Sequence, residues 1–407
     1  MKQRLSPLSV YLILEFCSSL FFSAIFTVSQ LYFVTVVDLS PLQLVLTGTI
    51  LETTVFLFEV PTGVLADVKS RRLSIIIGYT LMGFGFIVEG SFAMFGTVAL
   101  AQVVWGFGYT FTSGATQAWL ADELGEGDAG QAFLRGAQAA RAGALVAIPL
   151  SVALGSVALQ LPIVVGGGLM ILLAVFLTLV MGEEGFSPTP PGERTTWAQM
   201  LRTIQNARQL VRRQPTILLL LAISLFYGLY SEGFDRLWTP HLLDTFQAPW
   251  QDKVQPVVWF GVIRGVMLLL SLAATEVARR RVDTGRSRPL ARTLLFVSAG
   301  IIVALAGFGL TRSFWIALSL YGLIGILRSI AYPLQAAWLN LGIDDPQVRA
   351  TLFSVSGQAD AIGQIAGGPI VGAVGNVSIR AALVTSALLL APALPLSAIA
   401  LRRTAED

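Results

Sequence analysis

Inside the long apolar runs of this sequence stand seven acids, Glu15, Glu52, Glu59, Glu89, Glu232, Asp235 and Asp360, and four bases, Arg141, Arg236, Arg264 and Arg328. Ionisable groups in such runs are costly to bury and mark ion, proton or solute pathways. The acids outnumber the bases, and an unpaired carboxylate in apolar surroundings tends to take up a proton and become neutral. Reversible protonation is therefore the chemistry these residues offer, with Glu52, Glu59, Asp235 and Asp360 as the candidates. At about 1.5 Å rise per residue, Glu52, Arg141, Arg264 and Asp360 lie roughly 15 Å inside their runs, and Glu15 about 10 Å. Glu52 is the first choice, since its own run carries no base. Glu59, two helical turns further along the same face, and Asp67 at the end of the run extend it into an acidic track. Arg328 and Asp360, in neighbouring runs, are expected to pair. Glu89 reads as a side chain reaching the interface, and His241, the single histidine, as an interfacial residue at the end of its run.

The elements that position these groups follow from composition. The chain has 407 residues, 55% hydrophobic and 13% charged, with mean hydropathy +0.73. So few charges cannot cover the apolar surface of a soluble protein this long, and the runs repeatedly reach the roughly 20 residues a helix needs to cross hydrocarbon. Twelve spans are expected, near 8–37, 41–66, 73–95, 97–120, 131–154 and 159–181, then 216–240, 254–277, 291–310, 313–339, 349–374 and 379–401. The first run ends at no small-residue cleavage site and reads as a span, not a removed signal. The lone Cys17 lies within it, which excludes a disulfide framework and a thiolate metal site. Between the sixth and seventh spans, 183–214 begins as a Pro/Gly-rich linker. From Thr195 to Arg213 it places apolar residues on one face and arginines on the other, as a helix lying on a membrane surface does. With the N-terminus inside, twenty of the 27 Lys and Arg fall in inner segments and three, Lys253, Arg312 and Arg380, in outer loops. That bias places both termini in the cytoplasm. It also accounts for a pI near 9.2 without any nucleic-acid partner.

The chain repeats itself. "GAQAARAGALVAIPLSVALG" (136–155) aligns with "SGQADAIGQIAGGPIVGAVG" (356–375) at a constant offset, pairing Gln138 with Gln358, Ala139 with Ala359, Gly143 with Gly363, Pro149 with Pro369 and Gly155 with Gly375. A parallel six-plus-six duplication is the architecture in which one half rocks against the other around a midplane site. The expected fold is an all-α membrane protein of two pseudo-symmetric six-helix bundles, 1–182 and 215–407, joined by 183–214.

The stretch Gly63-Val-Leu-Ala-Asp67-Val-Lys69-Ser-Arg71-Arg72 resembles the signature between spans 2 and 3 of the major facilitator superfamily, with Gly63, Asp67, Arg71 and Arg72 matching. Val68 and Ser70 depart from the usual base and glycine, and Lys69 lies one position from where the base would stand. The resemblance implies that this loop clamps the cytoplasmic gate, with Gly63 letting another helix approach and Asp67 accepting bonds from Arg71 or a neighbouring helix end. "SGATQAWLADE" (113–123) and "SEGFDRLW" (231–238) resemble the macrolide- and tetracycline-efflux branch of drug:proton antiporters. That branch's R-x-x-Q-G run in span 4 reads Gln102-Val-Val-Trp105-Gly106 here, without the arginine, and its Gly-Pro motif appears as "GQIAGGPIVG" in span 11, while span 5 reads Ile148-Pro149.

The resemblance implies a secondary transporter, driven by the proton gradient with no cofactor, that exports amphipathic drugs or antibiotics by alternating access. The alternatives are proton-coupled uptake or symport of a small metabolite, and a non-transporting membrane sensor or scaffold. Glu15, Arg141, Glu232, Arg236, Arg264 and Arg328 are the candidates for lining a solute cavity. No metal-ligand cluster, nucleophile–base pair or nucleotide motif is present in the sequence, so an enzyme is not expected. The expected partners are the solute, protons and membrane lipid, with the chain a monomer in a bacterial-type inner membrane.

Reporters fused before Met1 and after Asp407 should both give a cytoplasmic signal. A periplasmic signal at either end would break the charge-bias argument and the even span count.

Overall fold

A computed structural model describes residues 5–188, 215–341 and 346–403, so the expected surface helix at 195–213 lies outside the described residues. The described residues form α1 Pro7–Thr35, α2 Pro41–Val68, α3 Arg71–Ser91, α4 Phe95–Thr112, α5 Ala115–Leu124, α6 Glu126–Val157 and α7 Leu161–Val180. They continue as α8 Pro215–Asp244, α9 Pro256–Arg281, α10 Ser287–Leu310, α11 Phe314–Asn340, α12 Pro346–Val377, α13 Ile379–Leu390 and α14 Ala393–Arg403, with no strand among them. The fold class is all-α, as expected.

Helix starts follow local chemistry. Pro opens α1, α2, α8, α9 and α12, where its missing N–H would be unpaired in any case. Ser6, Ser70 and Ser378 cap α1, α3 and α13 by accepting from the backbone N–H three residues on. Among the described residues, ten helical stretches are long and apolar enough to cross a membrane. The expected span 97–120 is not one helix: Gly114 adopts φ 73°, which breaks it into α4 and α5, and Gly125 at φ 80° separates α5 from α6. Only glycine takes such angles without strain. The expected span 349–374 lies within α12, and 379–401 is covered by α13 and α14.

The chain forms two units. Unit 1 holds α1, α2 from Thr53 on, α3 to α7 and the segment Asp252–Gly265; unit 2 holds Leu39–Glu52, α8, α9 from Val266 on and α10 to α14. In unit 1, α1 packs along α6, and α3 packs against α4 and α7. In unit 2, α8 packs along α12, and α10 packs against α11 and α13. These are the same pairs displaced by one repeat.

The repeated residues make the same contact in each unit. A side chain at Gly143 would strike the Phe16 carbonyl and come within 3.1 Å of the Leu20 N of α1. One at Gly363 would strike the Leu225 carbonyl and come within 2.8 Å of the Leu229 N of α8. Other glycines pair directly. A Cβ at Gly83 would lie 2.6 Å from the Gly167 carbonyl and one at Gly167 2.7 Å from the Gly83 carbonyl, while Gly78 and Gly108 bring α3 and α4 together in the same way. Lipid tails are as apolar as leucine, so such backbone approaches, and not hydrophobic exclusion, hold membrane helices together.

Gly167→Leu should lower the detergent-solubilised melting temperature, by an overpacking cost of about 1–3 kcal/mol. Gly168→Leu, one residue on, where a Cβ meets nothing within 4 Å, should not. Equal losses in both variants would mean that the glycine crossing does not set the α3–α7 distance.

Candidate functional site

Besides Glu52 on α2, the membrane-embedded charges of unit 2 stand on α8, α11 and α12. From α8, Asp235 receives the guanidinium of Arg328 on α11 in a two-pronged bond, with Nη2 to Oδ2 at 2.8 Å and Nη1 to Oδ1. A planar guanidinium fits a carboxylate in this forked way. The Arg328 guanidinium also lies over the rings of Tyr230 and Phe234, 5.7 and 5.4 Å from their centroids, a cation–π contact that offsets part of its lost hydration. One turn away on α8, Arg236 Nε donates to the buried Glu232 at 3.2 Å. On α12, Asp360 accepts from Gln364 Nε2 at 2.8 Å.

The expected Arg328–Asp360 pair is therefore corrected: the fork of Arg328 is filled by Asp235, three helices earlier in the chain, and Asp360 is hydrogen-bonded to an amide of its own helix. Adjacency of spans in sequence did not carry that choice, because α8 and not α12 presents a carboxylate squarely to the fork. Around this cluster, Tyr227 and Ser298 share a hydrogen bond of 2.8 Å, and Tyr227 packs edge-on against Tyr230 and Tyr332. The hydroxyl of Tyr230 and the side-chain oxygen of Gln358 are buried and find no hydrogen-bond partner among the described residues.

Glu52 lies half-buried in the part of α2 that belongs to unit 2. One turn before it, a Cβ on Gly48 would strike Glu232 Oε2 and lie 2.8 Å from Arg236 Nε. Along the same segment, the Leu42 N–H donates to Asn376 Oδ1 at 3.0 Å, and Gly372 and Gly375 leave room for Leu42 and Pro41. The start of α2 therefore lies on a small-residue face of α12.

Unit 1 holds the remaining candidates. Arg264 donates from Nη1 to the Phe26 carbonyl at 3.0 Å. Glu15 is half-buried one turn from Tyr11, its hydrogen-bonding neighbour. Arg141 is exposed on α6, and Glu59 is exposed on α2 with Ser113 Oγ 3.4 Å from its Oε1.

The signature loop is a denser network than its sequence suggests. Arg71 bonds Asp122 of α5 through Nη1, which also donates to the Ala118 carbonyl at 2.9 Å, while Asp67 stands 3.8 Å from Nη2. Ser70 Oγ donates to Glu183 Oε2 at 2.6 Å, the Arg72 N–H donates to Glu183 Oε1 at 2.9 Å, and Arg72 Nη2 donates to the Thr178 carbonyl at 2.7 Å. Lys69 is exposed. Asp122 and Glu183 were not singled out from the sequence; Asp122 lies 51 residues from Arg71, and no local spacing announces the contact. Among the described residues a Cβ at Gly63 meets nothing within 4 Å.

Two further expectations change. Glu89 is not an interfacial side chain but 1% exposed, accepting from Gln102 Nε2 at 2.7 Å. His241 is fully buried, with Nε2 hydrogen-bonded to the Phe308 carbonyl and its ring against Phe246 and Phe308. Among the described residues no cluster of His, Cys, Asp and Glu could hold a metal ion.

Residues 11–368 match the family model described as Major Facilitator Superfamily. The chain is similar to an uncharacterised MFS-type transporter of Bacillus subtilis (strain 168), YxaM, at 24% identity over 82% of this chain and 81% of that protein. Solved structures with the same fold include the nucleoside transporter NupG, 13% identical over 99% of this chain and all of that one, with a TM-score of 0.76. Another is a bacterial homologue of the human lysosomal transporter Spinster in an inward-facing, unoccupied conformation, 16% identical over 98% of this chain and 97% of that one, with a TM-score of 0.74.

The corrected pairing is testable by a double-mutant cycle on thermal stability in detergent. Asp235→Asn and Arg328→Gln should each destabilise, and together they should cost less than their sum by about 0.5–3 kcal/mol. Asp360→Asn combined with Arg328→Gln should be close to additive. The reverse pattern would restore the Arg328–Asp360 pair.

Proposed function

We propose that this chain, which belongs to the Major Facilitator Superfamily, is a proton-coupled exporter of amphipathic drugs or antibiotics. Family membership makes it a multi-pass membrane protein and a secondary transporter, not an enzyme. The export reading rests on the likeness of 113–123 and 231–238 to efflux proteins. The coupling reading rests on one observation: the two bases nearest the unit 2 cluster are already engaged by Asp235 and Glu232, while Asp360 has an amide as its hydrogen-bond partner. A carboxylate bound to an amide loses its charge most directly by taking a proton. That geometry favours Asp360 as the coupling site over Glu52, and over Asp235, whose charge Arg328 requires. The driving force is the proton gradient, and no cofactor is invoked.

A second reading has its own support. The buried Tyr230 hydroxyl and Gln358 oxygen without partners would suit a solute rich in hydrogen-bonding groups. Nucleoside and peptide transporters stand among the solved relatives in name. On that reading the chain would carry out proton-coupled uptake of a small polar metabolite.

Proteoliposomes with an acidic lumen and an entrapped pH dye separate the two. Ethidium added outside should alkalinise the lumen under antiport, and a nucleoside added outside should acidify it further under symport. The ethidium response is expected, lost in Asp360→Asn and retained in part in Glu52→Gln. Loss in Glu52→Gln with retention in Asp360→Asn would move the proton site to Glu52. No proton movement with either solute would end both coupled readings.

A further inference from the structure

Glu89 lies deep in unit 1, on α3, among groups that the coupling cluster does not use. Its Oε2 accepts from Gln102 Nε2 at 2.7 Å, and Gln102 Oε1 in turn accepts from Trp105 Nε1 at 3.0 Å. Glu89 and Gln102 are 1% and 3% exposed and Trp105 is 7% exposed. Trp105 belongs to an aromatic wall: it stacks on Phe86 at 5.2 Å between centroids and meets Phe22 and Phe26 of α1 at 6.4 and 5.8 Å. Phe22 and Phe26 are half-buried, so the wall presents rings beyond the packed core.

The direction of this chain of bonds is dictated by chemistry. An indole N–H can only donate and an ionised carboxylate can only accept, so the amide between them has one workable orientation, NH2 toward Glu89 and oxygen toward Trp105. A proton on Glu89 changes that. The neutral acid keeps one acceptor oxygen for the amide NH2 but gains an O–H donor, and the bond it accepts is no longer charge-assisted. The amide that the carboxylate held in one orientation is then less firmly fixed, and with it the oxygen that anchors the indole N–H in the wall.

Other groups stand on the elements packed around Glu89. From α1, Tyr32 donates its hydroxyl to the Glu89 carbonyl at 3.2 Å. From α4, the one ionisable side chain is Tyr109, seven residues inward of Gln102, and α7, which packs on α3 near Gly90, carries none. From the α9 segment in this unit, Arg264 bonds the carbonyl of Phe26, a wall residue.

We propose that Glu89 is a proton-binding site that sets the position of Trp105 through Gln102, so that proton occupancy reshapes the aromatic wall of unit 1. This extends the reading of proton-coupled transport to a second site in the other half of the duplication. It is measured without a gradient or a solute, so its failure is distinct from failure of coupling at Asp360.

The experiment is a tryptophan-emission titration of the full chain in detergent from about pH 4 to about pH 9, a range that spans carboxylate titration. Wild type should show a reversible shift, and subtraction of a Trp105→Phe variant should assign it to Trp105 among the eight tryptophans. Glu89→Gln should abolish the shift. Gln102→Leu, which leaves the acid but removes the link, should abolish it as well. Melting temperatures measured alongside show that each variant is folded, and an unfolded Glu89→Gln is replaced by Glu89→Met. A Trp105 signal flat across the range, or one that titrates unchanged in Glu89→Gln or Gln102→Leu, overturns the proposal.

Discussion

A guanidinium or carboxylate carried into hydrocarbon must be compensated by the protein itself, because neither water nor lipid will do it. Arg328 shows how much follows from that constraint. Its charge needs a two-pronged acceptor and a polarisable surface. Asp235 supplies the first and the rings of Tyr230 and Phe234 the second, all from α8. One side chain of α11 is thereby tied to three residues of α8. Arg236 is served on its own helix by Glu232, and that pair is in turn covered by the bare backbone of α2 at Gly48. Asp360 then has an amide and not a base as its hydrogen-bond partner, and the chemistry assigned to it depends on this distribution of partners.

The helices can be so placed because glycine lets their backbones nearly touch. Gly143 against α1 and Gly363 against α8 make one contact twice, and the Gly83–Gly167 crossing fixes α3 on α7. With hydrophobic exclusion absent inside a bilayer, dispersion between closely approaching backbones is the main cohesive term. The duplication therefore preserved small residues at crossings more faithfully than it preserved charges: Gly143 and Gly363 correspond, whereas Arg141 stands opposite Ala361.

At the cytoplasmic end of unit 1, charge is spent differently. Arg71 is shared between Asp67, Asp122 and the Ala118 carbonyl, and Glu183 receives both the Ser70 hydroxyl and the Arg72 N–H. The signature loop thus ties the ends of α2, α5 and α7 together. Ser70, which replaces the family's glycine, caps α3 and anchors Glu183 at once. The departure from the motif comes with a hydrogen bond the glycine could not make.

The sequence alone determined the all-α membrane fold, the duplication and the clustering of charge at the signature loop. Each is written in local terms: run length, a constant offset between repeats, and residues within one turn of one another. Arg71 with Asp67 was legible for the same reason, since i,i+4 spacing places such a pair side by side. Only the tertiary structure decided that Arg328 belongs to Asp235 and not Asp360, that Arg71 also reaches Asp122, and that Glu89 is buried on Gln102 and not held at the interface. It also decided that residues 97–120 break at Gly114. These depend on which faces of distant helices meet. That is set by the rotation of each helix about its axis, a quantity that near-uniform hydrophobicity around a membrane helix leaves unspecified and that packing fixes only when all the neighbours are present.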